Sequence, residues 1–202
     1  MKRALGRSAA LLIGLIGYGF SMAVMVRSGL GLDPWDVFHQ GVAKVTGISF
    51  GTVVILVGIP ILLLWIPLRQ RPGFGTIANL VVIGVVVDGA LAVLAPGGSL
   101  AMRITYLVIG IALNGVATGL YIGSRLGPGP RDGLMTGLVG RFPRLSIRLV
   151  RTAIEVTVLG LGFLLGGTVG VGTVAYALAI GPLAQIFITA FTVAPRPVLV
   201  AA

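Results

Sequence analysis

The segment at residues 30–36 reads LGLDPWD, and residues 126–132 repeat it as LGPGPRD. Leu, Gly, Pro and Asp recur in the two copies at fixed spacing, at an offset of 96 residues. Matches at offsets of 96 to 97 residues continue on both sides of the motif and pair Gly14 with Gly110, Gly19 with Gly115, Ser49 with Ser146, Gly73 with Gly170 and Thr76 with Thr173. A co-linear series of this extent indicates an internal duplication.

Six apolar stretches surround the two motifs. A bilayer core needs about 20 consecutive apolar residues to span it. The composition fits such a solvent, because 56% of the residues are hydrophobic and 10% are charged, with a mean hydropathy of +1.08. The sequence therefore predicts an all-α membrane protein whose six transmembrane helices cover residues 8–26, 50–68, 75–94, 104–122, 150–166 and 173–191.

The duplication divides these spans into two three-helix repeats, at residues 1–97 and 98–202. Because three is an odd number, the second repeat enters the membrane from the opposite side, which predicts two inverted repeats. Inverted repeats are common in transporters, whose solute sites lie near the bilayer midplane. Some channels share this plan, and a duplication kept only for stability is the plainer alternative.

Basic residues predict the orientation of the chain. Most of the 15 Lys and Arg residues lie before the first span or between the second and third and the fourth and fifth spans. Cytoplasmic loops carry an excess of these residues, so both termini are expected in the cytoplasm. The net charge of +10 then reflects topology and contact with the lipid bilayer, and no nucleic acid partner is expected.

Each repeat is expected to contain a short helix after its first span. Asp33 suits an N-cap, a proline follows it, and Asp36 falls in the first turn, which predicts a helix at 34–45. The second copy predicts a helix at 130–140 with Asp132 in its first turn. Both helices are too short to cross a bilayer, so they either lie on its surface or dip into the protein as re-entrant segments.

A re-entrant helix would present free amide donors and the positive end of its dipole to a cavity. The alternative is that Asp36 and Asp132 only cap their own helices. The two readings differ in whether these carboxylates contribute to a solute site.

Polar side chains within apolar spans are costly and indicate function. Asp88 in the third span aligns with Gln185 in the sixth, and a protonatable Asp88 would couple transport to protons or another ion. Arg151 and Glu155 lie four residues apart and can pair, which gives them a structural alternative. The candidates for a substrate or ion pathway are Asp33, Asp36, His39, Asp88, Asn114, Asp132, Arg151, Glu155 and Gln185.

A line of glycines on the fourth span, Gly115, Gly119 and Gly123, has its counterpart at Gly19 on the first span. Small residues at this spacing let two helices approach closely. The pattern predicts that the first and fourth spans cross at the axis relating the two repeats.

The reactive side chains exclude several classes of protein. The chain has no cysteine and a single histidine, so thiolate sites, cysteine nucleophiles and His-rich metal centres are ruled out. No P-loop signature is present. We therefore expect no enzyme activity, no catalytic residues, no metal and no cofactor.

The stretch from Gly29 to Asp88 resembles the YczE/YyaS/YitT family of small bacterial membrane proteins. The resemblance rests on the residues DPWD at 33–36, QG at 40–41 and IPLR at 66–69, and it continues through the second copy to Gln185. It implies a location in the bacterial cytoplasmic membrane, but no mechanism and no site residues.

These features favour a transporter or channel for a small solute, with alternating access around the interface of the two repeats. A membrane-embedded accessory or lipid-binding subunit without solute flux is the alternative. Helix dipoles favour an anionic or zwitterionic solute, whereas Asp36, Asp88 and Asp132 favour a cation or a proton. Because six short spans enclose little volume, a homodimer is one arrangement that the sequence leaves open.

Overall fold

The structure, a computed structural model, describes residues 2–192, and these residues form eight α-helices and no strand. The side chains are described from residue 5 onward. The helices are α1 (Lys2–Ser28), α2 (Pro34–Thr46), α3 (Phe50–Leu64), α4 (Phe74–Val93), α5 (Leu100–Gly123), α6 (Pro130–Arg141), α7 (Ile147–Leu164) and α8 (Val171–Phe191).

Four helices, α1, α4, α5 and α8, are long and apolar enough to cross a membrane. Helices α2 and α3 together form a fifth apolar segment that bends by 112° at its break. Helix α3 alone has 15 residues, about 22 Å at 1.5 Å per residue, and α7 carries Arg148, Arg151 and Glu155. Length and composition therefore support four or five of the six predicted spans.

Helix starts follow local capping chemistry. Asp33 caps α2, because its Oδ1 accepts hydrogen bonds from the amides of Trp35 at 2.9 Å and Asp36 at 3.1 Å. Helix α2 ends at Gly47, whose φ of 73° is the left-handed conformation typical of a C-cap. Helices α3, α5 and α7 each begin after a serine whose hydroxyl accepts an amide hydrogen bond.

An antiparallel pair, α1 and α5, forms the centre of the bundle. Arg7 donates to the carbonyl of Ser124 at one end, and Arg103 donates to that of Ser28 at the other, both at 2.7 Å. We name these ends the N-terminal face, which holds Arg7, and the opposite face, which holds Arg103. Helix α4 packs beside α1 and α8 packs beside α5, so each central helix has its own neighbour.

The glycine line of α5 packs on α8, so the predicted crossing with α1 is wrong for these residues. A Cβ atom at Gly119 would lie 2.5 Å from the Cβ of Phe187, and one at Gly115 would lie 2.8 Å from that of Leu183. In the same way Gly19 of α1 faces α4. The spacing of small residues marks a close-approach face, but it does not identify which helix covers that face.

The α1–α5 crossing uses different glycines. A Cβ atom at Gly14 would lie 2.7 Å from the amide nitrogen of Tyr121, and one at Gly110 would lie 2.5 Å from Cγ of Met25. Both glycines bring the two backbones close together. Each central helix thus has two close-approach faces, of which the sequence pattern revealed the one toward the outer neighbour.

The short helices pack across the two halves of the chain. Helix α2 packs on α7, and α6 packs on α3, so each contacts a helix of the other half. Two pairs of contacts are unequal: α2 packs more extensively on α7 than α6 does on α3, and α3 packs along α4 whereas α7 makes at most marginal contact with α8. The two halves therefore share most contacts but differ in how closely these pairs approach.

Replacing Gly119 by Ala tests the α5–α8 contact. The added methyl group meets the side chain and backbone of Phe187, so we expect a loss of stability of about 1–3 kcal/mol. The control is Gly160→Ala on α7, where a Cβ atom meets nothing within 4 Å and the gain in helix propensity is at most about 1 kcal/mol. Thermal unfolding in detergent is the measurement, and equal melting temperatures for the two variants would contradict the packing.

Candidate functional site

Charged residues from both halves meet at the first turns of α2 and α6. Arg131 on α6 places its guanidinium 3.9 Å from Oδ1 of Asp33 and 3.8 Å from Oδ1 of Asp36. Its guanidinium carbon lies 5.0 Å from the centre of the Trp35 ring, a distance that allows a cation–π interaction. We call Asp33, Trp35, Asp36, His39 and Arg131 the central cluster.

The central cluster is withdrawn from solvent. Asp36 is fully buried, His39 is 1% exposed and Asp33 is 4% exposed, while 23% of the Arg131 side chain remains accessible. Burying a charge is expensive unless an opposite charge accompanies it. Arg131 supplies the positive charge for the two carboxylates, so it holds the first turns of α2 and α6 together.

The polar groups of the cluster keep unused hydrogen-bonding capacity. The distances from Arg131 to the carboxylates exceed those of direct hydrogen bonds, and its guanidinium donates none within residues 5–192. His39 directs Nδ1 toward Asp36 at 3.3 Å, while Oδ2 of Asp36 and Nε1 of Trp35 are buried without a partner among these residues. The arrangement thus balances charge while leaving donors and acceptors for other groups.

Tyrosines border the cluster. Tyr18 on α1 and Tyr121 on α5 meet edge to face with ring centres 6.0 Å apart, and the Tyr121 hydroxyl donates to Oδ2 of Asp132 at 2.9 Å. A second network runs through Asn114, which accepts from the hydroxyl of Tyr176 at 3.1 Å and donates to that of Ser21 at 2.9 Å. These bonds connect α1, α5, α6 and α8 through buried polar groups.

Two cavities are lined by Tyr18 and Tyr121. A small one of about 80 Å³, which we call the inner cavity, has as its polar lining Tyr18, His39, Asn79, Tyr121, Arg131 and Asp132. The second, of about 240 Å³, lies among α5, α6, α7 and α8, and we call it the crevice. Tyr18, Tyr121 and Asp132 line both, so these three side chains stand between the inner cavity and the crevice.

Asp88 lies away from the central cluster and caps α3. Its Oδ2 accepts from the hydroxyl of Ser49 at 2.5 Å, and its Oδ1 accepts from the amide of Gly51 at 2.6 Å. The carboxylate therefore fastens the start of α3 to α4. Its repeat counterpart, Gln185, lines the crevice, and its side chain contacts only Thr189, at 3.4 Å, among the hydrogen bonds of the described chain.

Arg151 and Glu155 pair as their spacing predicts, with 2.8 Å between Nε and Oε1. The pair is partly exposed, so its contribution to stability is small. Arg151 also lines the crevice. Of the nine predicted site residues, the structure brings Asp33, Asp36 and His39 into one cluster, with Asp132 and Asn114 in the adjoining networks.

Sequence reasoning missed Arg131, because it was counted among the basic residues that orient the chain. Trp35 and Tyr121 were also not assigned to the site. One signal was available: the two copies of the motif agree at Leu, Gly, Pro and Asp but place Arg131 where the first copy has Trp35. A charge introduced into a repeated buried motif indicates a specific role.

A protein-family model matches residues 5–189, and its description is a family of unknown function, DUF6198. The chain belongs to this family. An uncharacterized protein of Haemophilus influenzae is 44% identical over 178 residues, which cover 88% of this chain and 81% of the relative. No solved structure matches the chain.

Two proteins of Bacillus subtilis are also similar. The uncharacterized membrane protein YczE is 30% identical over 168 residues, covering 83% of this chain and 77% of YczE. The uncharacterized protein YyaS is 25% identical over 179 residues, covering 87% and 89% of the two chains. The resemblance to YczE and YyaS is therefore confirmed, and together with the apolar helices it shows a membrane protein.

Arg131→Gln tests charge compensation in the central cluster. The substitution leaves two buried carboxylates without a cation, and we expect it to lower stability by about 3 kcal/mol. Adding Asp36→Asn to this variant should restore part of the loss, because it removes one of the stranded charges. The matched control is Arg148→Gln at an exposed position, with a change within about 0.5 kcal/mol. A wild-type melting temperature for Arg131→Gln would contradict the role of Arg131.

Proposed function

We propose that the protein transports a small polar solute by alternating access between two inverted repeats in the bacterial cytoplasmic membrane. The observation that carries the proposal is the central cluster, in which Asp33 and Asp36 of one half meet Arg131 of the other beside the inner cavity. Intramembrane charges that pair across a cavity are typical of solute and ion pathways.

The helix contacts support inverted repeats. The neighbours α1–α4 correspond to α5–α8, the cross-contacts α2–α7 correspond to α6–α3, and α1 runs antiparallel to α5. We take α3 and α7 as the second and fifth of six spans, with α2 and α6 as re-entrant helices. The burial of the first turn of α2 supports the re-entrant placement, since a surface helix would leave Asp33 and Asp36 in water.

The unequal contacts of α3 and α7 support alternation. Asp88 fastens α3 to α4, whereas Gln185 makes no corresponding bond to Ser146 within the described chain, and the crevice lies between α7 and α8. The crevice is lined by the last turns of α5, the first turns of α6 and α7, and α8 from Tyr176 to Ile188, and we infer from the first three that it opens toward the N-terminal face. We assign the structure to a state open on that face, and we take this face as the cytoplasmic one from the distribution of basic residues.

The reverse state would exchange these contacts. Helix α7 would close on α8 through Ser146 and Gln185, and the bonds from Asp88 to Ser49 and Gly51 would open. The repeat relates the two arrangements, because each replaces one set of cap interactions by its counterpart. Asp88 then serves as a gate that opens and closes.

Uptake into proteoliposomes tests transport. With a panel of labelled amino acids, organic acids and amines, we expect wild-type protein to accumulate at least one class and Arg131→Lys to reduce uptake at least tenfold. A lysine keeps the charge but lacks the planar fork that spans two carboxylates, whereas Arg148→Lys, at an exposed position, should transport normally. Wild-type protein without flux for any solute would favour the accessory or lipid-binding function.

Cross-linking tests alternation, and the chain offers a clean background because it has no cysteine. One variant combines Ser49→Cys with Asp88→Cys, and its matched counterpart combines Ser146→Cys with Gln185→Cys. We expect a short thiol cross-linker to join each pair, because each closes in one of the two states, and to stop uptake until it is cleaved. If the second pair never reacts in membranes, the halves do not alternate.

A further inference from the structure

We propose that the inner cavity binds a small zwitterion, with the solute carboxylate at the N-terminus of α6 and its ammonium group at Asp132. The proposal rests on the proposed function for the identity of the solute site, and it adds the class of solute. It starts from a comparison of α6 with α2, which occupies the same place in the first half.

The two short helices begin with the same backbone but different caps. Asp33 precedes α2 with φ −63° and ψ 160°, and Gly129 precedes α6 with φ −64° and ψ 157°. Any residue can adopt this conformation, so the backbone does not require glycine at position 129. The carboxylate that caps α2 from within the chain has no counterpart on α6, whose start has no side-chain cap.

The missing side chain leaves a polar opening beside the inner cavity. A Cβ atom at Gly129 would lie 3.2 Å from Oδ2 of Asp132, 3.5 Å from Nδ2 of Asn79 and 3.6 Å from the hydroxyl oxygen of Tyr121. The amides of Arg131 and Asp132 correspond to those that donate to Asp33 in the first half. A solute carboxylate in this opening would accept from the same two amides.

His39 supplies an independent observation. Its side chain is almost fully buried and lines the inner cavity, and its Nδ1 faces Asp36, while Nε2 has no hydrogen-bond partner in the described part of the chain. Arg131 lines the same cavity and donates no hydrogen bond to the described residues. Buried polar groups are normally satisfied, so the Nε2 of His39 points to a polar ligand in the cavity, beside the cation that Arg131 provides.

Charge balance selects a zwitterion over a simple anion. The cavity region holds one cation, Arg131, against the carboxyl groups of Asp33, Asp36 and Asp132, so an added anion alone would increase an existing negative excess. An ammonium group beside Asp132 and Tyr121 offsets that carboxylate, while the solute carboxylate takes the amides of α6.

Volume limits the size of the bound group. About 80 Å³ corresponds to two or three water molecules at roughly 30 Å³ each, enough for a compact head group with both charges. Any larger part of the solute extends past Tyr18 and Tyr121 into the crevice.

Gly129→Asp tests the site, because the new carboxylate caps α6 as Asp33 caps α2 and takes the place of the solute. The probes are glycine, L-alanine and β-alanine, with acetate and ethylamine as singly charged comparisons, and binding is measured by calorimetry and thermal shift on purified protein. We expect the zwitterions to bind the wild-type protein and Gly129→Asp to lower their affinity at least tenfold. This change corresponds to the loss of about one charge-assisted hydrogen bond. Gly129→Ser, with a smaller cap, should weaken them as well.

Gly140→Asp is the matched control, since it adds the same carboxylate to α6 at an exposed position where a Cβ atom meets nothing within 4 Å, and it should bind the zwitterions within about threefold of wild type. Wild-type affinity in Gly129→Asp or Gly129→Ser, an equal loss in Gly140→Asp, equal binding of acetate or ethylamine, or no zwitterion binding to wild type would each overturn the proposal. Zwitterion binding without uptake into proteoliposomes would refute transport and leave this site standing. Arg131-dependent uptake of another class of solute would support transport and refute the zwitterion site.

Discussion

The contact of Arg131 with the first turn of α2 is the constraint on which the rest of the structure depends. A guanidinium in apolar surroundings needs negative charge close by, and Asp33 and Asp36 are the carboxylates it reaches. This requirement brings the starts of α2 and α6 together in the interior. Helix α7 packs on α2, and α3 packs on α6, so the position of the cluster also fixes α7 and α3. The cluster therefore determines how the two halves meet.

Residues that are the same in the two halves maintain equivalent helix contacts, whereas positions at which the halves differ hold the polar groups of the site. Gly19 and Gly115 keep equivalent roles, because each lets a central helix approach its outer neighbour. Trp35 and Arg131, by contrast, occupy equivalent positions but form the two partners of one cation–π contact. Asp33 and Gly129 differ in the same way, since one copy carries its cap and the other leaves its amides free. Asymmetric pairs of this kind separate residues that maintain the fold from residues that the proposed function assigns to a solute.

Features set by local interactions could be predicted from the sequence. Proline suits the first position of a helix, and α2 and α6 therefore begin at Pro34 and Pro130, while Asp33 adds a side-chain cap to α2 alone. The depth at which a residue lies and the element that it contacts depend on tertiary structure, so they could not be predicted from the sequence. Arg131 follows a Gly-Pro segment, which is typical of a loop, so the sequence did not indicate its place in the central cluster. The glycine line of α5 indicates a close contact but does not identify α8 as the helix that makes it.

In the proposed transport cycle the two gates differ in strength, because one contains a carboxylate and the other an amide. Asp88 accepts two short hydrogen bonds at the N-terminus of α3, where the helix dipole adds to its stabilisation. Gln185 carries no charge and could offer the N-terminus of α7 only a neutral acceptor, which makes a bond about half as strong. Closure of α3 on α4 is therefore the more stable contact. In the proposed cycle the protein without solute then rests open on the N-terminal face, and binding in the inner cavity must provide the free energy that releases Asp88.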